Sequence, residues 1–229
     1  MKYKWITVPD TEFKFIEYTI SKYDAMYIDS YNKAKTVAPQ MNKHAPDGTV
    51  RSDEKIFANC FAGCIAENAV IYRINDFAAF RQKTGVNAHG TEFDKNKDND
   101  QVDIVVQNGD VEYTIEVRSS YGNVQNNLRR YKEWFSIVGN YVSANKGREL
   151  QKDYYITVIF NFSQETMLVK VKNKEDISFQ IAAGCDKEFL QKYGKIDNLK
   201  NSGATYKVIK PLIAGKTVNV VMDEIFKKL

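Results

Sequence analysis

Val102-Asp103-Ile104-Val105-Val106-Gln107-Asn108-Gly109-Asp110-Val111-Glu112-Tyr113-Thr114-Ile115-Glu116-Val117-Arg118 reads as two alternating runs joined by a turn. Asn-Gly between such runs marks a β-hairpin, because a type I′ turn needs positive φ at its central positions. Pairing outward from Asn108-Gly109 sets Val106 against Val111, Ile104 against Tyr113, Val102 against Ile115 and Asp103 against Thr114. Strand side chains alternate with period two, so one face collects Val102, Ile104, Val106, Val111, Tyr113, Ile115 and Val117 and must be buried. The other face collects Asp103, Val105, Glu112, Thr114, Glu116 and Arg118. Asp103 and Glu116 come out as diagonal neighbours, with Cβ atoms about 7 Å apart. Two carboxylates at that separation reach one ion between them, and hard oxygen ligands with room for water and phosphate suit Mg²⁺, with Mn²⁺ as a substitute. Arg118, one pleat beyond Glu116, points to the same side, towards a phosphate or a developing charge.

Upstream of the hairpin, Ser52 and Asp53 are N-cap residues for a long helix over about 54–80. On that helix Cys60, Cys64, Ile71 and Ile74 form an apolar stripe at 3 to 4 spacing that also contains Glu67. No cation stands three or four residues from Glu67, so no local ion pair accounts for it, and a buried carboxylate without a partner is costly. A metal ion beside it would offset that cost. Downstream, a second helix is expected over about 124–145, with Leu128, Tyr131, Trp134, Phe135 and Val138 inward. Strands over 154–160 and 166–171 follow, then a short helix near 186–193, a strand near 206–213 and a helix from Val218. The aromatic stretch 11–35 contains no proline or glycine and is expected to be helical. The order predicts an α/β fold in one domain over 1–229, a central mixed β-sheet flanked by helices. Within it, 1–50 would be a helical extension serving recognition or dimerisation, 54–171 the core and 172–229 the part that completes the sheet.

Composition sets outer bounds. The chain has 229 residues and a formal charge of +4, which permits a polyanionic partner without requiring one. No stretch approaches the roughly 20 apolar residues of a membrane span, and the start Met1-Lys2-Tyr3-Lys4 lacks the apolar run of a signal peptide, so a cytoplasmic location is expected. Cys60, Cys64 and Cys185 are read as free thiols. Asp94, Asn96, Asp98 and Asp100 imitate a calcium loop, but Asn99 and Val105 stand where Gly and Glu are needed. His44 and His89 lie far apart and neither has a ligand or triad partner at suitable spacing. Arg129, Arg130, Lys132, Lys146, Arg148 and Lys152 are candidates to grip phosphates, against the ordinary alternative of a solvated helix face. Lys170, Lys172 and Lys174 form an outward strand face of undecided meaning.

These residues resemble the PD-(D/E)xK nuclease superfamily, which includes many restriction endonucleases. The resemblance spans roughly 55–171 and rests on four positions: Glu67 on the first core helix, Asp103 at a strand start, and Glu116-Val117-Arg118 on the next strand. It implies a restriction-endonuclease-like core whose second helix starts at Val124. It also implies a metal site of Asp103, Glu116 and Glu67, with Arg118 completing the catalytic set. The function so implied is Mg²⁺-dependent hydrolysis of DNA phosphodiester bonds, as in a type II restriction enzyme acting on double-stranded DNA as a homodimer. Ser119, Ser120, Tyr121, Asn123, Arg129 and Arg130 would contact that DNA. Two departures stand out: Val102 replaces a frequent proline, and Arg118 replaces the lysine. Arginine stays protonated and can only orient groups and stabilise charge. Two rival readings are a non-catalytic nucleic-acid-binding protein with the same fold and a structure-selective repair nuclease.

Overall fold

The computed structural model describes residues 1–44, 49–92, 102–122, 128–141, 150–199 and 205–229, with Arg130 described by its backbone alone. Two strands open the chain, β1 (Lys2–Thr7) and β2 (Lys14–Ile20), followed by α1 (Ala25–Val37) and the long α2 (Asp53–Phe80). Three strands come next: β3 (Asn87–Gly90), β4 (Ile104–Asn108) and β5 (Val111–Tyr121). A 3-10 turn at Leu128–Lys132 leads to β6 (Ile137–Tyr141), β7 (Tyr154–Phe160), α3 (Gln164–Asn173) and β8 (Ile177–Asp186). The chain ends through α4 (Lys187–Tyr193), β9 (Lys195–Asp197), β10 (Tyr206–Ile209) and α5 (Val218–Lys228).

The main sheet has seven strands in the order β1-β2-β8-β7-β5-β4-β3, all antiparallel neighbours except the parallel pair β5 and β7. A second sheet has the order β6-β10-β9. One face of the main sheet, through Ile16, Tyr18, Ile104, Val106, Ile115, Val117, Ile156 and Val158, packs against α1, α2, α3 and α5. The opposite face, through Phe15, Tyr155, Ile159 and Ala183, meets Tyr131, Ile137, Leu190, Ile209 and Leu212 from the small sheet, its flanking turns and α4. The architecture is therefore a mixed α/β arrangement around a mostly antiparallel sheet. Among the described residues no helix is long and apolar enough to cross a membrane.

The α2 helix forms where expected. Ser52 accepts from the Lys55 backbone N–H, and Asp53 and Glu54 in the first turn oppose the helix dipole. Its buried side carries Ala58, Ala62, Ala66 and Ala69, small residues that let a helix lie close to a sheet. The hairpin also forms, but two residues further along than centring on Asn108-Gly109 suggested: Asn108 faces Val111, Val106 faces Tyr113 and Ile104 faces Ile115. Gly109, at φ +58°, takes the left-handed position, which leaves Asn108 inside the strand. A slip of two preserves the faces. Asp103 lies one residue before the last pair, Ile104 with Ile115, and its side chain takes the Val117 N–H instead of joining the ladder.

Three expectations are overturned. Residues 14–20 form β2 inside the main sheet, not part of a helix, because Phe15, Ile16, Tyr18, Thr19 and Ile20 are strand formers covered on both faces. The helix expected over 124–145 is a 3-10 turn and β6 where it is described; 123–127 and 142–149, and with them Asn123, Lys146 and Arg148, lie outside the described residues. The β-branched pair Ile137-Val138 pairs with Val208 and Ile209 of β10 instead of continuing a helix. The strand expected over 166–171 is α3: Ser163 accepts from the Thr166 N–H, Glu165 and the lysines suit the dipole, and Lys174 closes the helix at φ +58°. The alternating lysines there are a C-terminal helical feature. The C-terminal third contributes only β8 to the main sheet, with β9 and β10 in the small one. Cys60, Cys64 and Cys185 are free thiols.

Candidate functional site

The sheet forks beside β5. Its pairing with β4 ends at Ile104 and Ile115, yet β5 runs on to Tyr121, paired with β7 from Ile115 to Tyr121. Among the described residues, the other edge of β5 beyond Ile115 has no strand neighbour. Asp103 sits at the fork, where its Oδ2 accepts from the Val117 backbone N–H at 2.7 Å. That bond serves a donor which the ladder no longer reaches.

Glu67 approaches the same place from α2. It lies close enough to Asp103 that the Asp103 charge disfavours its ionised form. Lys33 of α1 donates from Nζ to Glu67 Oε2 at 2.7 Å. A Cβ at Gly90 would lie 3.7 Å from the Asp103 carbonyl oxygen and 3.9 Å from Lys33 Nζ, which puts the end of β3 against the same group. A surface cleft of about 450 Å³ opens beside it, with Lys33, Thr36, Gln40, Gly90 and Thr91 in its wall.

Burial, then the Asp103 charge, raises the Glu67 carboxyl above its ordinary range; Lys33 works against the rise without cancelling it. Burial likewise raises Asp103, against the Val117 N–H and the charges of Arg118, Lys152 and Lys33. Both carboxylates keep a sliver of surface, 19% of the side chain for Glu67. The same enclosure, with the Glu67 charge, pushes the Cys64 thiol up to about 12, which leaves it inert as a nucleophile.

Glu116 is buried at 6% exposure, and its Oε1 stands 2.8 Å from the Arg118 guanidinium. Arg118 also lies over the Tyr206 ring, 6.0 Å from its centre, so it links β5 to the small sheet. Thus Glu67 and Asp103 are brought together, whereas Glu116 lies on the β5 face it shares with Tyr155, opposite the face that α2 packs on, and is paired with Arg118. Among the described residues no group of three or more His, Cys, Asp or Glu side chains stands close enough to hold an ion. The pair Glu67 and Asp103 still fits a hard divalent cation, because two neighbouring enclosed carboxylates supply oxygen ligands whose charge a cation would relieve.

Of the expected DNA contacts, Ser119 and Ser120 lie half-buried along β5 beyond the fork. Tyr121 is committed elsewhere: its hydroxyl donates to the Ala58 carbonyl of α2 at 2.7 Å, and its ring packs on Phe160 and Phe162. Arg129 is exposed on the 3-10 turn and Arg130 belongs to the same turn. Asn123 lies outside the described residues.

Two site residues carried little or no signal in the sequence. Lys33 is 34 residues from Glu67 and on another helix, so only the fold pairs them. Lys152, read either as a phosphate-gripping side chain or as part of a solvated helix face, is 2% exposed.

No family model matches the chain. It is similar to an uncharacterized protein of Methanocaldococcus jannaschii, 26% identical over 87% of this chain and 81% of the other. No solved structure matches it.

Proposed function

We propose that the chain is a metal-dependent nuclease of the PD-(D/E)xK kind, acting on double-stranded DNA. The observation that carries this reading is the convergence at the fork of two enclosed carboxylates, Glu67 of α2 and Asp103 on the Val117 N–H. Further support comes from the element order: α2 precedes the β3-β4-β5 meander, and β7 returns parallel to β5, as a restriction-endonuclease-like core would require.

In this reading Glu67 and Asp103 would hold Mg²⁺, and Glu116, further along β5, would serve the same reaction through its pair with Arg118. The ion, when bound, polarises a phosphodiester and makes a bound water more acidic. The chain's own residues do the rest. Asp103 keeps its orientation through the Val117 N–H, Arg118 places positive charge beside Glu116, and Lys33 marks the side on which the cleft opens.

One observation favours a second reading. Lys33 on Glu67 and Arg118 on Glu116 already supply positive charge to two of the three acids. A non-catalytic nucleic-acid-binding protein would keep the fold in that compensated state.

Incubation with plasmid, branched and single-stranded DNA, with Mg²⁺ or chelator, separates the readings. Metal-dependent cutting, reduced at least 1000-fold in Glu116→Ala, is expected. Cutting at discrete duplex sites would mark a restriction enzyme, and preference for branched DNA a repair nuclease. Intact DNA together with salt-sensitive binding would favour the second reading.

A further inference from the structure

Lys152 presents a physical problem. Its side chain is 2% exposed, and its Nζ has no hydrogen-bond partner among the described residues. A buried ammonium without acceptors is among the costlier features a fold can carry. Its location is tightly specified. The next residue, Asp153, clamps Thr114 of β5: Asp153 Oδ2 accepts from the Thr114 N–H and hydroxyl, both at 2.9 Å, and the Asp153 N–H returns to the Thr114 carbonyl at 3.0 Å. The Lys152 N–H donates to the Tyr155 hydroxyl at 3.1 Å, and Tyr155 is the partner of Glu116 across β5 and β7. Lys152 is therefore fixed between the neighbour of Glu116 along its strand face and the neighbour of Glu116 across the sheet. It also lies within electrostatic reach of Asp103.

A second orphan accompanies it. Thr157, the β7 partner of Arg118, is 1% exposed, and its hydroxyl has no hydrogen-bond partner among the described residues. Tyr155 and Thr157 alternate on one face of β7, the face that Glu116 and Arg118 share on β5. Two unsatisfied polar groups thus border Glu116 and Arg118 from the β7 side. Enclosed polar groups in such a setting are ordinarily bridged by water.

We propose that Lys152 is a positioning residue beside Asp103 and Glu116, holding the attacking water from the inner, β7 side with help from Thr157. The inference rests on the nuclease reading. It assigns the water-orienting duty, which Arg118 does not free itself from Glu116 to perform, to an ammonium from the segment that leads into β7. Because Lys152 is enclosed, it acts through water and not by touching DNA.

The test compares wild type, Lys152→Met, Thr157→Val and Glu116→Ala in duplex cleavage with Mg²⁺, in duplex binding without metal, and in thermal melting. Lys152→Met should lower kcat on the order of 100-fold, leave duplex Kd within about twofold, and melt at or above wild type. Thr157→Val, which keeps the shape, should lower kcat roughly tenfold with the fold intact. A structural lysine would behave oppositely: Lys152→Met would melt lower and still cut at the wild-type rate per folded molecule. Either of those results overturns the assignment. Loss of cutting in Glu116→Ala while Lys152→Met cuts normally sinks the Lys152 role and spares the nuclease reading. A wild-type chain that cuts no DNA sinks both.

Discussion

Two acidic corners of this molecule use the same residue types to opposite effect. At the junction of β8, α4 and α5, Asp186 caps α4 by accepting from the Phe189 N–H at 2.7 Å and also binds Lys216, which in turn holds Glu224 at 2.7 and 2.8 Å. Nearby, Asp153 takes Lys187 and two donors of Thr114. Burial pushes both aspartates up, but their donors outweigh it, and both carboxyls settle below the ordinary range. At the fork burial wins, joined at Glu67 by the Asp103 charge, and Glu67 and Asp103 lie above it. The difference is the count of donors per acid. The first corner is a satisfied ion network that fastens elements together; at the second, Lys33 on Glu67 and the Val117 N–H on Asp103 do not offset the cost of burial.

Breaking the first corner should have the largest effect on stability. Asp186→Ala removes a helix cap and a partner of Lys216, and should cost about 3 kcal/mol, lowering Tm by roughly 10 °C without changing cleavage per folded molecule. Thermal melting checks it; a shift under about 2 °C would mean that the network contributes little.

The pH response sharpens the contrast, because the two corners carry opposite signs. Asp186 and Asp153, held low, contribute stability above their unfolded pKa that is lost as pH falls through the folded value. Asp103, held high, contributes stability below its unfolded pKa that is lost as pH rises through the folded value. Asp103→Asn keeps an acceptor for the Val117 N–H while removing the charge. It should therefore gain stability relative to wild type as pH climbs from about 4 to 8, by about 1.4 kcal/mol for each unit of upward shift it abolishes. Melting curves across that range read the slope, and a relative loss on the alkaline side would contradict the assignment.

Much of this was legible in the sequence, and the parts that were not share a cause. The α2 helix announced itself through Ser52 and its apolar spacing, and the hairpin through Asn108-Gly109, because both signals are local. The register of the hairpin was misplaced by two residues, since the turn takes only Gly109 and Asp110 out of the ladder. Faces survived the error because the strand period is two. Glu67 stood out as an acid without a helical partner; its partners, Lys33 and Asp103, come from other elements. Tyr121 looked like a groove contact because it follows Glu116-Val117-Arg118-Ser119-Ser120, but its hydroxyl is spent on Ala58. The stretch 14–20 was misread because the same aromatics serve a strand covered on both faces as well as they serve a helix.

The central claim is that the Glu67 and Asp103 pair accepts a divalent cation. Titration of Mn²⁺ into the full chain, followed by electron paramagnetic resonance and repeated with Mg²⁺ as competitor, tests it most directly. One saturable site is expected in wild type, displaced by Mg²⁺ and weakened at least tenfold in Asp103→Asn, which keeps its fold. Equal Mn²⁺ binding by wild type and Asp103→Asn, or no saturable binding by wild type, would contradict it.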